Sequence, residues 1–294
     1  MARSAREEHV WHGWLHLILV AVVLYTIYPV LWVATIAFSG KQSLAIADLP
    51  AQPTAVDRLR AVLPWPTQWS LDNFTSVMGD QPFARWMLNS AAVAVATTVV
   101  GVALSCTAAY AFSRFKFPGR RAGMMAFLVS QMFPGVLTLI PLYIIVVQWL
   151  GLGSTRLGLI IVYATTSVPF SVWMLKGYFD TIPKELEEAA IIEGAGPGMI
   201  FWRIVLPLAL PAIAITALFS FMTAWNEFIL AATFMDQELM YTAPVGLRFF
   251  VGGFQQQWGY FAAGSIIVSI PVVALFLYLQ KYLVGGLTAG SVKG

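Results

Sequence analysis

Apolar residues run in long uninterrupted stretches, without the three-to-four-residue alternation of a helix that faces water on one side. Segments 15–38, 87–112, 123–147, 157–175, 208–235 and 259–280 are each apolar and nearly free of charge. A helix rises 1.5 Å per residue, so a run of about 20 residues crosses a hydrocarbon core of roughly 30 Å. The pattern predicts an all-α membrane protein with six transmembrane helices. The polar residues gather between these runs, chiefly in an outer loop at 39–86 and an inner loop at 176–207. Five prolines and few apolar runs make 39–86 an irregular cap with short helices, so the whole of 1–294 reads as a single transmembrane domain.

Composition agrees with this pattern. Of 294 residues, 59% are hydrophobic and 11% charged, against roughly 25% charged in a soluble domain. The first run, 24 residues long, exceeds the about 7–15 residues of a signal-peptide core and reads as a retained anchor. Cys106 is the only cysteine, so there is no disulfide framework and no cysteine-based metal site. The net charge of +3 is scattered among loops, which excludes nucleic acid as a partner and leaves membrane lipid. Eleven of the 17 Lys and Arg residues fall in 1–14, 113–122, 176–207 and 281–294. The positive-inside rule then predicts a multi-pass protein of the cytoplasmic (inner) membrane with both termini cytoplasmic. Trp11, Trp14, Trp86, Trp149, Trp173, Trp258 and Tyr282 sit near span ends, where amphipathic rings favour the headgroup region.

Catalytic sets are absent from the sequence. His9, His12 and His16 crowd the N-terminus, no His-Glu-x-x-His occurs, and Ser39-Gly40-Lys41-Gln42 lacks the rest of a phosphate loop. No catalytic, cofactor-binding or metal-binding residue is assigned, and the chain is expected not to bind ATP. Glu227 is the sole acidic residue within a predicted span. Burying its charge near the bilayer centre costs on the order of 3 kcal/mol or more. It reads as a polar group, with Asn226, lining a translocation pathway or a permease interface. The alternative is a proton relay in a secondary transporter.

The inner loop 176–207 is longer than a turn requires. From Pro183 to Gly194 it predicts a short amphipathic helix, with Glu185, Glu187 and Glu188 near the positive N-terminus. Leu186, Ala189, Ala190 and Glu193 are expected on one small-residue side, and Gly194 is expected to end the helix. On amphipathicity alone the segment is a juxtamembrane helix lying at the headgroups. The spacing adds more: Glu188-Ala189-Ala190, three residues, Gly194, nine residues, then Ile204-x-Leu206-Pro207 resembles the EAA loop of ATP-binding-cassette importer permeases.

Further likeness covers nearly the whole chain. The stretches Ala108–Gly119, Gln131–Pro134 and Gly286–Gly294 are similar to the MalG-type permeases of maltose and maltodextrin importers. The resemblance implies a type I ABC importer permease with a cytoplasmic coupling helix, moving carbohydrate by alternating access. It implies that Glu187, Glu188, Ala189, Ala190, Gly194, Ile204, Leu206 and Pro207 form the ATPase-coupling loop. It places Gly253, Phe254, Gln255, Gln256 and Gln257 where the family has a scoop loop that displaces sugar from a binding protein. The tail Gly290, Ser291, Val292, Lys293 and Gly294 would contact the ATPase. The implied partners are a second, MalF-like permease, two copies of a cytoplasmic ABC ATPase holding ATP and Mg, and an extracytoplasmic sugar-binding protein.

Overall fold

The computed structural model describes the backbone of residues 5–290 and the side chains of residues 14–281. Among the described residues the regular structure is helical throughout. The elements are α1 (Ala5–Ala37), α2 (Ala55–Val62), α3 (Asp72–Gly79), α4 (Phe83–Arg114), α5 (Arg120–Met132), α6 (Gly135–Tyr143), α7 (Arg156–Phe179) and α8 (Glu185–Ile192). They continue as α9 (Pro197–Ile200), α10 (Leu206–Leu208), α11 (Leu210–Asn226), α12 (Ile229–Phe234), α13 (Ala243–Leu247) and α14 (Trp258–Gly290). Stretches Trp14–Ala37, Phe83–Arg114, Arg156–Phe179 and Trp258–Lys281 are each long and apolar enough to cross a membrane, and two bent helix pairs bring the number to six.

Proline explains both bends. Where the pattern predicts one rod over 123–147, Arg120–Met132 and Gly135–Trp149 meet at 102°. Phe133 and Pro134 are extended between them, because a residue before proline is pushed out of the helical region and proline donates no hydrogen bond. The helix leading into the fifth span turns by 77° between Pro197–Leu208 and Leu210–Asn226. There Pro207 and Pro211 flank Ala209, whose φ of −90° and ψ of 3° leave the helical region. The expected span 208–235 is interrupted again at Glu227 and Phe228, between α11 and α12.

The chain divides into two compact units, Met1–Pro82 with Leu247–Val268, and Phe83–Gly246 with Ser269–Gly294. In the first, two amide side chains settle the backbone groups that helix ends leave unpaired. Asn73 Nδ2 donates to the carbonyls of Ile36 (3.3 Å) and Ala37 (3.0 Å) at the end of α1. Its Oδ1 accepts from Gln42 Nε2 (2.7 Å), and Gln42 Oε1 accepts from the backbone N–H of Gly259 (3.1 Å) and Tyr260 (3.3 Å) at the start of α14. The approach is close enough to require glycine: a Cβ on Gly259 would lie 2.2 Å from the Lys41 carbonyl.

In the second unit α4, α7 and α11 pack through small residues. Ser90, Ala94, Thr97, Gly101, Ser105 and Ala109 on α4 are buried at near-helical repeat, which lets backbones approach closely where lipid supplies no hydrophobic drive. One end of α4 is tied by polar bonds. Trp86 Nε1 donates to the Glu238 carbonyl (2.9 Å), Asn89 Nδ2 donates to those of Leu239 and Tyr241 (2.9 Å each), and Ser90 Oγ accepts from Ala243 N–H (2.8 Å).

A Cβ on Gly246 would fall 2.0 Å from the buried Trp86 ring, whereas one on Gly101 would meet its nearest neighbour, Ser167 Oγ, at 3.4 Å. Overpacking costs about 1–3 kcal/mol, and Gly to Ala within a helix gains about 0.5–1 kcal/mol. Gly246→Ala should therefore lower the thermal unfolding midpoint in detergent, while Gly101→Ala leaves it unchanged or raises it.

Candidate functional site

The loop after α7 closes on a buried ion pair. α8 starts after Pro183, its first turn carrying Glu185, Glu187 and Glu188. Its Glu187 and Ala190 turn inward and are buried, while Leu186, Glu188, Ala189 and Glu193 are exposed. The expected grouping of Ala190 with Leu186, Ala189 and Glu193 is thus divided by the pull of Glu187 on the polar end of α4. Glu187 Oε1 accepts from Arg114 Nε (2.6 Å) and Oε2 accepts from the Tyr110 hydroxyl (3.3 Å). The Arg114 and Glu187 side chains are 6% and 11% exposed.

Arg114 spends its remaining donors nearby. Nη2 donates to the Ile182 carbonyl (3.1 Å) and Nη1 to Ser113 Oγ (2.9 Å). Ser113 Oγ in turn donates to Asp180 Oδ1 (2.6 Å), and Lys176 pairs with the other oxygen of Asp180. Burial disfavours the Asp180 carboxylate, but the bonds from Lys176 and Ser113 outweigh it and hold its pKa below the ordinary 3.8. The stability this bonding supplies is present above that value and is lost as pH falls through the lower folded pKa. Below the polar layer lies an apolar floor of Tyr110, Phe179, Phe201, Val205 and Ile200, with Tyr110 and Phe201 ring centroids 4.9 Å apart.

Gly194 closes α8 in a Schellman turn. Its N–H donates to the Ile191 carbonyl and that of Ala195 to the Ala190 carbonyl, both at 2.9 Å. The φ of +89° favours glycine, and open space surrounds its missing Cβ. Ile204 and Leu206 pack partly buried against the same floor, and Pro207 is exposed. Outside, α8 presents Glu185 and Glu188 beside an apolar strip: Leu186, Ile191 and Ile192 are exposed, Ile192 at 88%, together with Met199 and Trp202.

Glu227 sits at the break between α11 and α12. Its carboxylate accepts from the N–H groups of Leu230 (2.8 Å) and Ala231 (3.0 Å) and from the Tyr163 hydroxyl (2.9 Å). It caps α12, a role the span pattern did not predict because it treats 208–235 as continuous. Asn226 Nδ2 donates back to the Met222 carbonyl (2.9 Å). In the first unit Gly253, Phe254, Gln255 and Gln256 form an exposed loop. It is closed by Gln257 N–H to the Phe250 carbonyl (2.6 Å) and braced by Trp258 Nε1 to Gln256 Oε1 (3.0 Å). Gly290 ends α14, and Ser291, Val292, Lys293 and Gly294 lie outside the described residues. Among the described residues no group of three His, Cys, Asp or Glu side chains could hold a metal ion.

Arg114 and Tyr110 are the residues of this cluster that the sequence alone does not single out. Their i, i+4 spacing at the end of a span that turns basic was visible, but their partner is 73 residues away from Arg114.

The chain as a whole has known relatives. Residues 82–288 match the family described as binding-protein-dependent transport system inner membrane component. The chain is 35% identical to the maltodextrin transport system permease protein MdxG of Bacillus subtilis, covering 100% of this chain and 99% of that one. It is 34% identical to the trehalose transport system permease protein SugB of Mycobacterium tuberculosis, covering 93% and 94%. Its fold matches a chain of the crystal structure of a bacterial ABC transporter involved in the import of the acidic polysaccharide alginate, with a TM-score of 0.78 at 22% identity over 96% of this chain and 99% of that one. The chain belongs to this family of inner membrane components and is a permease subunit of a binding-protein-dependent ABC importer.

Removing one member of a buried ion pair costs about 3–5 kcal/mol because the other charge is left uncompensated. Arg114→Ala and Glu187→Ala should each speed amide hydrogen exchange across 185–192 by about a hundredfold or more. The double variant should cost less than the two single changes summed.

Proposed function

We propose that this chain is one of two permeases of an ATP-driven importer for an α-glucoside, of the maltose, maltodextrin or trehalose class. The observation that carries the reading is α8: a short helix anchored from within by Glu187 and Arg114, bearing an exposed apolar strip beside exposed acidic side chains. Such a surface suits docking into a cleft of a separate ATPase. The names of the maltodextrin and trehalose relatives support the sugar class. Both termini face the cytoplasm in this reading, following the basic loops.

Two cytoplasmic ATPases bind ATP and Mg, and this chain holds no cofactor of its own. As the ATPases close, α8 of this chain and its counterpart in a MalF-like second permease are drawn together. The rigid polar anchor carries the motion into α4, and the pathway opens outward toward an extracytoplasmic sugar-binding protein. The 253–257 loop, with Phe254 fully exposed, faces that protein. Hydrolysis resets the pathway inward. The 290–294 tail reaches the ATPase.

In Glu188→Lys and Gly194→Pro variants the chain should still insert while ATP-driven uptake falls to background; normal uptake by both would remove the coupling role from α8. Glu227 acts as a helix cap in this reading. Glutamine offers one acceptor oxygen in place of two, and an unmatched buried donor costs about 1–3 kcal/mol. Glu227→Gln should therefore lower the thermal midpoint while uptake stays insensitive to a protonophore. Uptake that survives loss of the ATPase and dies with Glu227→Gln would instead establish a proton-coupled transporter.

A further inference from the structure

The stretch between α1 and α3 is built unlike a solvated loop. α2 is a well-formed helix with a capping box. Thr54 Oγ1 accepts from Asp57 N–H (3.3 Å), and Asp57 Oδ2 accepts from Thr54 N–H (3.0 Å). At 100° per residue, Val62, Leu59, Leu63 and Val56 fall in that angular order within an arc of about 120°. All four are exposed. Arg58 and Arg60 border the arc on its two sides, and among the described residues neither forms an ion pair.

One bond ties this helix to α1. The Tyr28 hydroxyl donates to the carbonyl of Val62, the last residue of α2, at 2.8 Å. Tyr28 lies nine residues before the end of α1, about 13 Å along the helix axis. Every side chain from 14 to 31 is exposed on this apolar span. The end of α2 therefore lies alongside α1, against its exposed apolar surface and short of its C-terminal end. The bond also pairs a helix-end carbonyl, as a site without water would require.

A cavity of about 260 Å³ lies beside it, walled by Leu31, Ala34, Thr35 and Phe38 of α1 and by Trp65 and Trp69 among others. Its walls are almost wholly apolar. Trp65 and Trp69 are 67% and 61% exposed, with ring centroids 5.3 Å apart.

We propose that residues 55–69 form a lipid-contacting shelf, and that the cavity takes an acyl chain of a glycerophospholipid from the leaflet at the C-terminal end of α1. The apolar arc of α2 continues the lipid-facing surface of that span. Arg58 and Arg60 stand where phosphate headgroups would meet them, as basic residues flanking an interfacial helix do. The two indoles sit at the boundary they favour. That the leaflet is the outer one rests on the orientation proposed above; the lipid contact itself does not.

The test uses the full assembly in phosphatidylcholine nanodiscs, with a nitroxide label on Leu59→Cys or Trp65→Cys. Cys106 is buried and stays unlabelled. Collision rates with oxygen, which partitions into lipid, and with a water-soluble nickel chelate then report the surroundings. Both labels should collide several-fold more often with oxygen than with the chelate. Preference for the chelate at both would make the shelf a solvated loop, and low accessibility to both reagents would mean that another protein chain covers it; either result overturns the proposal. Uptake measured alongside separates the readings, since loss of the importer function would leave the lipid contact standing.

Discussion

A carboxylate cannot be buried without a partner, and the loop around α8 is organised by that constraint. Glu187 receives a guanidinium and a phenol, Arg114 is held by a carbonyl and a hydroxyl, and the hydroxyl of Ser113 is handed on to Asp180. Each link joins a different segment: the end of α4, the end of α7 and the first turn of α8. An apolar contact would fill the same space without fixing direction. The fork of Arg114 fixes it, because its donors lie in one plane and each of its three nitrogens already has an acceptor. The pair's net contribution to stability is small beside the cost of breaking it, so its effect is to hold α8 in one orientation. The coupling role proposed for α8 needs this property.

The same accounting of backbone groups governs the membrane part. Every bend frees N–H or C=O groups that hydrocarbon will not satisfy. At the α11–α12 break the Glu227 carboxylate takes up two N–H groups; where α1 ends and α14 begins, Asn73 and Gln42 serve both ends. The Glu227 carboxylate is thereby the cap of α12 at this break.

Much of this was legible along the chain. Spans declare themselves because lipid admits only long apolar helices, and the Ala-Ala and Gly spacing of the inner loop declares a short helix with a glycine stop. What the sequence leaves open is which face turns inward. Glu187 and Glu188 are adjacent and chemically identical, yet one is buried and the other exposed; the choice is made by Arg114 and Tyr110, whose proximity only tertiary structure creates. Pro134 permits a break, but a proline in the sequence does not specify the 102° angle. Glu227 was visible as an anomaly in a span, while its role required knowing that the helix stops there.

Gly194 shows why the turn after α8 has to be as tight as the anchor before it. The Schellman bonds spend the carbonyls of Ala190 and Ile191 within the loop itself, so the end of α8 does not fray into solvent. With Glu187 fixed at one end and this turn at the other, the eight residues of α8 have no slack between them. In the proposed coupling, a push on Ile191 or Ile192 would reach Arg114 through a rigid helix instead of being absorbed by local unfolding. Small displacements pass through packed, bistable contacts and are dissipated by soft ones. The two features that hold α8, a buried charge and a left-handed glycine, make it stiff without making its outer surface any less apolar.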